Sequence, residues 1–200
     1  PDDTLMVLAP SLDLTDSELS ELRAFFEAGG RAFFVNDPSI DLAKLPNYAA
    51  LMADIGLGYI SGVVVEDASS TGNYLSSQLY LVPNADAEHA VTAALVGTRL
   101  ILPGTCAVAA KSNDDYAVTP LLTTSATAFL KPTDEEGDLY TPSETDERGP
   151  FTLAAASESA AEGGARAVAV GNLYVVMDSD YMYSSGNLNF TISAVNWLSN

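Results

Sequence analysis

Five side chains are best placed to do chemistry. Asp37 and Ser39 stand in Asn36-Asp37-Pro38-Ser39, and Asp178, Ser179 and Asp180 follow the apolar run 173–177. Each group comes directly after a stretch that reads as a buried strand, and α/β folds place ligands outside the carboxyl ends of such strands. Carboxylates gathered at that rim could hold a hard cation, Ca²⁺ or Mg²⁺, or act as general acid and base. Asp and Ser after a strand also cap helices and close turns. Capping ranks ahead of metal binding here, so no cofactor is expected.

The other reactive groups fit structural roles better. Cys106 lies in Gly104-Thr-Cys-Ala-Val108 among apolar residues, with no basic neighbour to favour a thiolate, and reads as a small buried hydrophobe. His89, the one histidine, precedes it in the chain, and a surface or packing position suits it more than a general base. A multi-histidine metal centre within this chain is excluded. Ser179 has no Gly-x-Ser-x-Gly frame, and no glycine-rich phosphate loop supports nucleotide binding.

The elements that position these residues can be read in order. Residues 4–9 form an apolar strand. Thr15 and Glu18 have the spacing of a capping box, and Leu19, Leu22 and Phe26 then recur at helical spacing over 16–29 until Gly29-Gly30 stops the turn. Residues 31–35 read as a second strand, which makes a right-handed βαβ unit. A helix over 47–55 and a strand over 62–66 follow. Short strands are expected at 78–82, 99–102, 105–110, 118–124, 126–130 and 151–156, with His89 on a helix or turn over 85–95. Residues 166–170 and 173–177 fit a hairpin turning at Gly171-Asn172, and a last helix covers 187–198.

Composition narrows the function classes. At 48% hydrophobic, 200 residues can bury one sizeable core, so a single α/β domain is expected, with residues 131–150 as an acidic loop inserted in it. The excess of 27 acids over 8 bases gives a net charge of −19, which repels phosphate backbones and anionic lipid. Nucleic acid is therefore not an expected partner, and a membrane is expected only through segments outside this chain. One cysteine leaves the redox compartment undecided. The start at Pro1 without a methionine, running into a strand within a few residues, points to a piece of a longer protein.

Taken together, three ordered features resemble the extracytoplasmic domain of the auxiliary component of gliding-motility-type ABC transport systems. The first is the opening strand with Leu14-Thr-Asp-Ser-Glu-Leu19, Phe25-Phe26-Glu-Ala-Gly-Gly-Arg31 and Asn36-Asp37-Pro38-Ser39. The second is His89-Ala-Val-Thr-Ala-Ala-Leu95, with Ala90 where the family carries proline, followed by Pro120-Leu-Leu-Thr-Thr-Ser125. The third is Asp178-Ser179-Asp180 with the terminal Ala194-Val195-Asn196-Trp197-Leu198. Val170-Gly171-Asn172 and Val176-Met177-Asp178 compete for the family's last strand end.

The resemblance implies a class I glutamine-amidotransferase-like or flavodoxin-like fold, with a central, largely parallel sheet flanked by helices and extra β hairpins. It implies a place on the extracytoplasmic face of the bacterial cytoplasmic membrane, tethered in the full-length protein. The partners would be the transporter's permease and ATPase subunits or another extracytoplasmic protein. The expected function is that of a non-catalytic accessory or binding domain, with Asp37, Ser39, Asp178, Ser179 and Asp180 as its rim. The alternative is a hydrolase or transferase using Asp178 or Asp180 as acid or base.

Overall fold

The computed structural model describes residues 3–133 and 138–200. Strand β1 (Thr4–Leu8) leads into helix α1 (Asp16–Glu27) and strand β2 (Arg31–Val35), and the two strands pair in parallel from Thr4↔Arg31 to Leu8↔Val35. The capping box forms as its spacing requires: the Thr15 hydroxyl accepts from the Glu18 amide at 3.3 Å, and Glu18 accepts from the Thr15 amide at 2.8 Å. Helix α2 (Pro46–Asp54) opens with proline. Asp13, from the loop before α1, caps it by accepting from the Asn47 and Tyr48 amides at 3.0 and 2.9 Å.

Strands then follow almost without interruption. They are β3 (Leu57–Val65), β4 (Tyr74–Leu75), β5 (Ser77–Leu81), β6 (Asn84–Ala85), β7 (Leu102–Pro103), β8 (Thr105–Ala110), β9 (Tyr116–Thr123) and β10 (Phe129–Lys131). After the acidic segment come β11 (Thr152–Ser159) and β12 (Arg166–Val170), then α3 (Asp180–Ser184) and α4 (Asn187–Ser199). Of the acidic loop expected over 131–150, residues 134–137 lie outside the described residues.

The main sheet runs β1-β2-β12-β11-β9-β6. Only β1, β2 and β12 are parallel to one another; β11 pairs antiparallel with both β12 and β9, and β6 antiparallel with β9. The smaller sheets, β10-β3-β8 and β4-β5-β7, are antiparallel throughout. The fold is a mixed α/β arrangement whose pairing is mostly antiparallel, which corrects the expectation of a largely parallel sheet. The physical reason is connection length. Among the described residues between 57 and 159 there is no α-helix to carry a parallel crossover, so neighbouring strands pair antiparallel.

A second correction concerns residues 173–177. They form no strand: Leu173–Val175 is a single 3₁₀ turn, and the hairpin partner of β12 is β11, in register from Glu158↔Arg166 to Ala154↔Val170. Asn172 turns the chain out of the sheet. Its Oδ1 accepts from the Tyr174 amide at 2.9 Å, while its Nδ2 donates to the Pro103 carbonyl and to Thr105 Oγ1 at 2.7 and 3.0 Å. Val170-Gly171-Asn172 is therefore the last strand end.

Both faces of the parallel trio are covered, and the strand period divides them. Ala32, Phe34, Ala167 and Ala169 face α1 and α2 through Leu19, Phe26, Tyr48, Leu51 and Met52. Phe33, Val35, Val168 and Val170 face α4 through Phe190, Ala194 and Leu198.

Candidate functional site

The parallel strands end together at one carboxyl rim, with Leu8, Val35 and Val170 in register. Past Val35 the chain turns toward α2 on one face; past Val170 it runs to α4 on the other. The strand order thus switches direction between β2 and β12, where open α/β sheets leave a crevice for a ligand. Here the crevice is filled. The Asn36 amide donates to the Val170 carbonyl at 2.9 Å, and β8 lies across the gap with the Cys106 amide donating to the Gly171 carbonyl at 3.0 Å. A Cβ on Gly171 would strike the Cys106 carbonyl, so only glycine admits this approach.

Cys106 is 2% exposed, with its Sγ 3.5 Å from the Gly171 carbonyl and 3.9 Å from Asn36 Nδ2. Burial pushes its thiol up to about 12, the state of an inert buried cysteine. Burial likewise raises the Tyr48 and Tyr59 phenols beside it. His89 packs edge-on against Trp197 with centroids 5.0 Å apart. Its Nδ1 accepts from the Val91 amide at 3.2 Å, and burial, only partly offset by Asp86, lowers its pKa.

The five rim residues fall into two groups. Asp37 is half-buried after β2 and closes a turn, its Oδ1 accepting from the Ser39 amide and hydroxyl at 2.9 and 2.6 Å. Asp178, Ser179 and Asp180 follow the 3₁₀ turn instead of a strand. Ser179 is the cap of α3, accepting from the Met182 amide at 3.4 Å; Asp180 is the first residue of that helix. Asp178 stands exposed beside Tyr183, whose phenol its charge raises. Among the described residues no hydrogen bond or ion pair joins the two groups. Nor do any three His, Cys, Asp or Glu side chains among them gather as a metal site would require.

Two features escaped the sequence reading. One is an open groove of about 690 Å³ between the 38–44 segment, the β3 bend at Ser61-Gly62 and residues 143–147. Asp146 in its lining pairs with Lys131 at 2.8 Å, with only 7% and 10% of the two side chains exposed. Burial alone would raise the Asp146 carboxyl, but Lys131 and Ser143 outweigh it and hold the group at about 2. The other is Glu66, fully buried at the end of β3. Both its oxygens accept from Ser125, from the amide at 2.9 Å and from the hydroxyl, and burial raises its pKa. The sequence showed only an acid after Val63-Val-Val65; the partner lies some sixty residues away, where no local spacing reveals it.

Comparison with known proteins adds the context. The family described as an ABC-type uncharacterized transport system matches residues 2–191. No curated protein matches the chain in sequence. Among solved structures, the mmIFT52 N-terminal domain superposes with a TM-score of 0.71 at 14% identity, covering 98% of this chain and 77% of that one. That likeness is one of fold alone. A ThuA-like protein from Bacteroides uniformis gives a TM-score of 0.48 at 16% identity, covering 98% of this chain and 68% of that one.

Proposed function

Because the chain belongs to the ABC-type uncharacterized transport system family, we propose that it is the extracytoplasmic, non-catalytic accessory domain of a bacterial transporter of the gliding-motility type. The family carries an auxiliary role in transport and partnership with other transporter components. The observation that carries the non-catalytic part is the filled crevice. Where related architectures open a ligand site, this chain inserts Cys106 against Gly171 and leaves the thiol protonated. A carboxylate with a raised pKa does exist, in Glu66, but both its oxygens are taken by Ser125. Asp178 and Asp180, the acids of the hydrolase reading, are exposed, and neither lines the groove.

A partner surface fits the segment around α3. Tyr174, Tyr181 and Tyr80 pack in a row, with the Tyr181 ring edge-on to Tyr174 at 5.6 Å and tilted against Tyr80 at 5.9 Å. Tyr183 and Met177 are 68% and 43% exposed beside Asp178 and Asp180. Tyrosine and methionine exposed together are the composition of contact surfaces. On this reading Asp178, Ser179 and Asp180 present the patch to a permease subunit or another extracytoplasmic protein, while Ser39, hydrogen-bonded to Asp37, lines the groove. The reading takes the chain as one domain, which the sheet shared by both cores supports. Kinship with the amidotransferase-like or flavodoxin-like group rests on the β1-β2-β12 trio with helices on opposite faces. No helix among the described residues is long and apolar enough to cross a membrane, so a tether would come from outside them.

The test uses the silence of Cys106. In the full-length protein carrying Ser184→Cys, a membrane-impermeant maleimide added to intact cells should label the new thiol. Labelling only after the membrane is opened would overturn the location. Co-purification with the permease and ATPase of the same system should fall with Tyr183→Ala; complete indifference would overturn the docking patch.

A further inference from the structure

The one histidine and the one tryptophan of the chain meet where the 86–95 segment closes on the last turns of α4. Asp86 builds the turn that carries the histidine, accepting from the Glu88 and His89 amides at 3.4 and 3.0 Å. The His89 carbonyl in turn accepts from the Thr92 and Ala93 amides at 3.0 and 2.8 Å. Backbone thus holds the residue on both sides, and its ring Nδ1 accepts from the Val91 amide at 3.2 Å. Val91 is fully buried and packs with Leu95 in the same core as Ala194 and Leu198 of α4.

On the α4 side the ring lies edge-on to Trp197, with centroids 5.0 Å apart. Arg166, at the start of β12, sits 5.1 Å from the indole centroid and donates from Nη1 to the Trp197 carbonyl at 3.3 Å. Its Nε pairs with Glu158, near the end of β11, at 2.7 Å. The charges that face His89 are therefore Asp86 from its own turn, Glu158 from β11 and Arg166 from β12. Helix α4 carries no titratable side chain.

We propose that His89 is a pH-sensitive latch, which holds the 86–95 segment on α4 while its imidazole is neutral and releases it when the ring takes up a proton. An imidazole nitrogen accepts a hydrogen bond only in the neutral form; in the cation both nitrogens donate. Protonation therefore turns an N–H toward the Val91 N–H and leaves a buried amide without its acceptor. The new cation also stands beside an indole that Arg166 already engages. Asp86 and Glu158 temper the change, but burial outweighs them and lowers the His89 pKa. The folded chain thus takes up the proton less readily than the unfolded one, whose histidine titrates at about 6.5. The contact is at full strength above that pH and is lost as pH falls through the lower folded value. The latch rests on these contacts and not on the transporter reading.

The test follows the protein from about pH 8 to about pH 5 by three signals. The ring protons of His89 give its own titration by NMR, Trp197 emission reports the contact, and amide exchange reports its opening. All three midpoints should coincide below about pH 6.5. Exchange at Val91 and in the last turn of α4, corrected for the intrinsic effect of pH, should become at least about tenfold faster, while β2 and β12 stay protected. His89→Gln has an amide oxygen that can still accept from Val91 and does not ionise, so it should flatten both the emission and the exchange curves. Titration of His89 with Val91 exchange unchanged would overturn the proposal, since the imidazolium would then only quench its neighbour. A transition that persists in His89→Gln, or a histidine that takes up no proton above about pH 5, would overturn it as well.

Discussion

Glu66 shows how much a single buried side chain governs. Burial raises its carboxyl pKa even though Ser125 hydrogen-bonds both oxygens. A group whose folded pKa lies above its unfolded value contributes stability below the unfolded pKa and loses it as pH rises through the folded one. Glu66→Gln keeps an acceptor for the Ser125 amide and removes the ionisation. The variant should match the wild type near pH 4 and exceed it in urea midpoint at neutral pH; a lower midpoint at pH 7 would refute this account. Residues acting within a few positions were legible in the sequence: Thr15 with Glu18 formed its capping box, and Cys106 among apolar neighbours was buried as expected. Glu66 with Ser125 and Asn172 with Pro103 were not, because their partners are far away in the chain.

Among the elements, the βαβ opening was readable because α1 joins an apolar stripe to its own capping box, and the terminal helix because its apolar residues recur at helical spacing over thirteen residues. Residues 173–177 were misread for the opposite reason. Five apolar residues suit a buried strand or a turn of helix equally, and the Asn172 side chain, bound to β7 and β8, decides the matter. The consequence reaches α3, which Ser179 caps instead of Asp178. Ser179→Ala should cost about 0.5–2 kcal/mol, felt locally as faster amide exchange at Met182. Asp178→Ala should stay within about 0.5 kcal/mol of wild type in urea unfolding. A reversal of the two would restore the acid as the cap.

For the whole molecule, the charge of −19 sets the balance of forces at long range. The ion pairs found among the described residues join Arg23–Asp54, Lys44–Asp41, Lys131–Asp146 and Arg166–Glu158, far fewer than the acids present. Self-repulsion in the compact state is relieved by salt. The urea midpoint should therefore rise between about 20 and 300 mM NaCl, where the screening length falls below about 10 Å. A falling midpoint would mean that attraction between the pairs outweighs the repulsion. At this scale the mixed α/β class was legible and the strand directions were not, since pairing depends on how turns between residues 57 and 159 return the chain.

The placement of β12 between β2 and β11 also fixes an order of events in time. Its neighbours in the sheet are residues 31–35 on one side and 152–159 on the other. A chain emerging from its amino end can set β1 beside β2 early, yet Ala32 and Phe34 find Ala167 and Ala169 only after residue 170 has appeared. Closing so long a loop is slow, and until it closes Phe33 and Val35 lie open to the wrong neighbours. From residue 36 until residue 170 has been made, the growing chain carries β2 with one edge unpaired and the middle of its sheet missing.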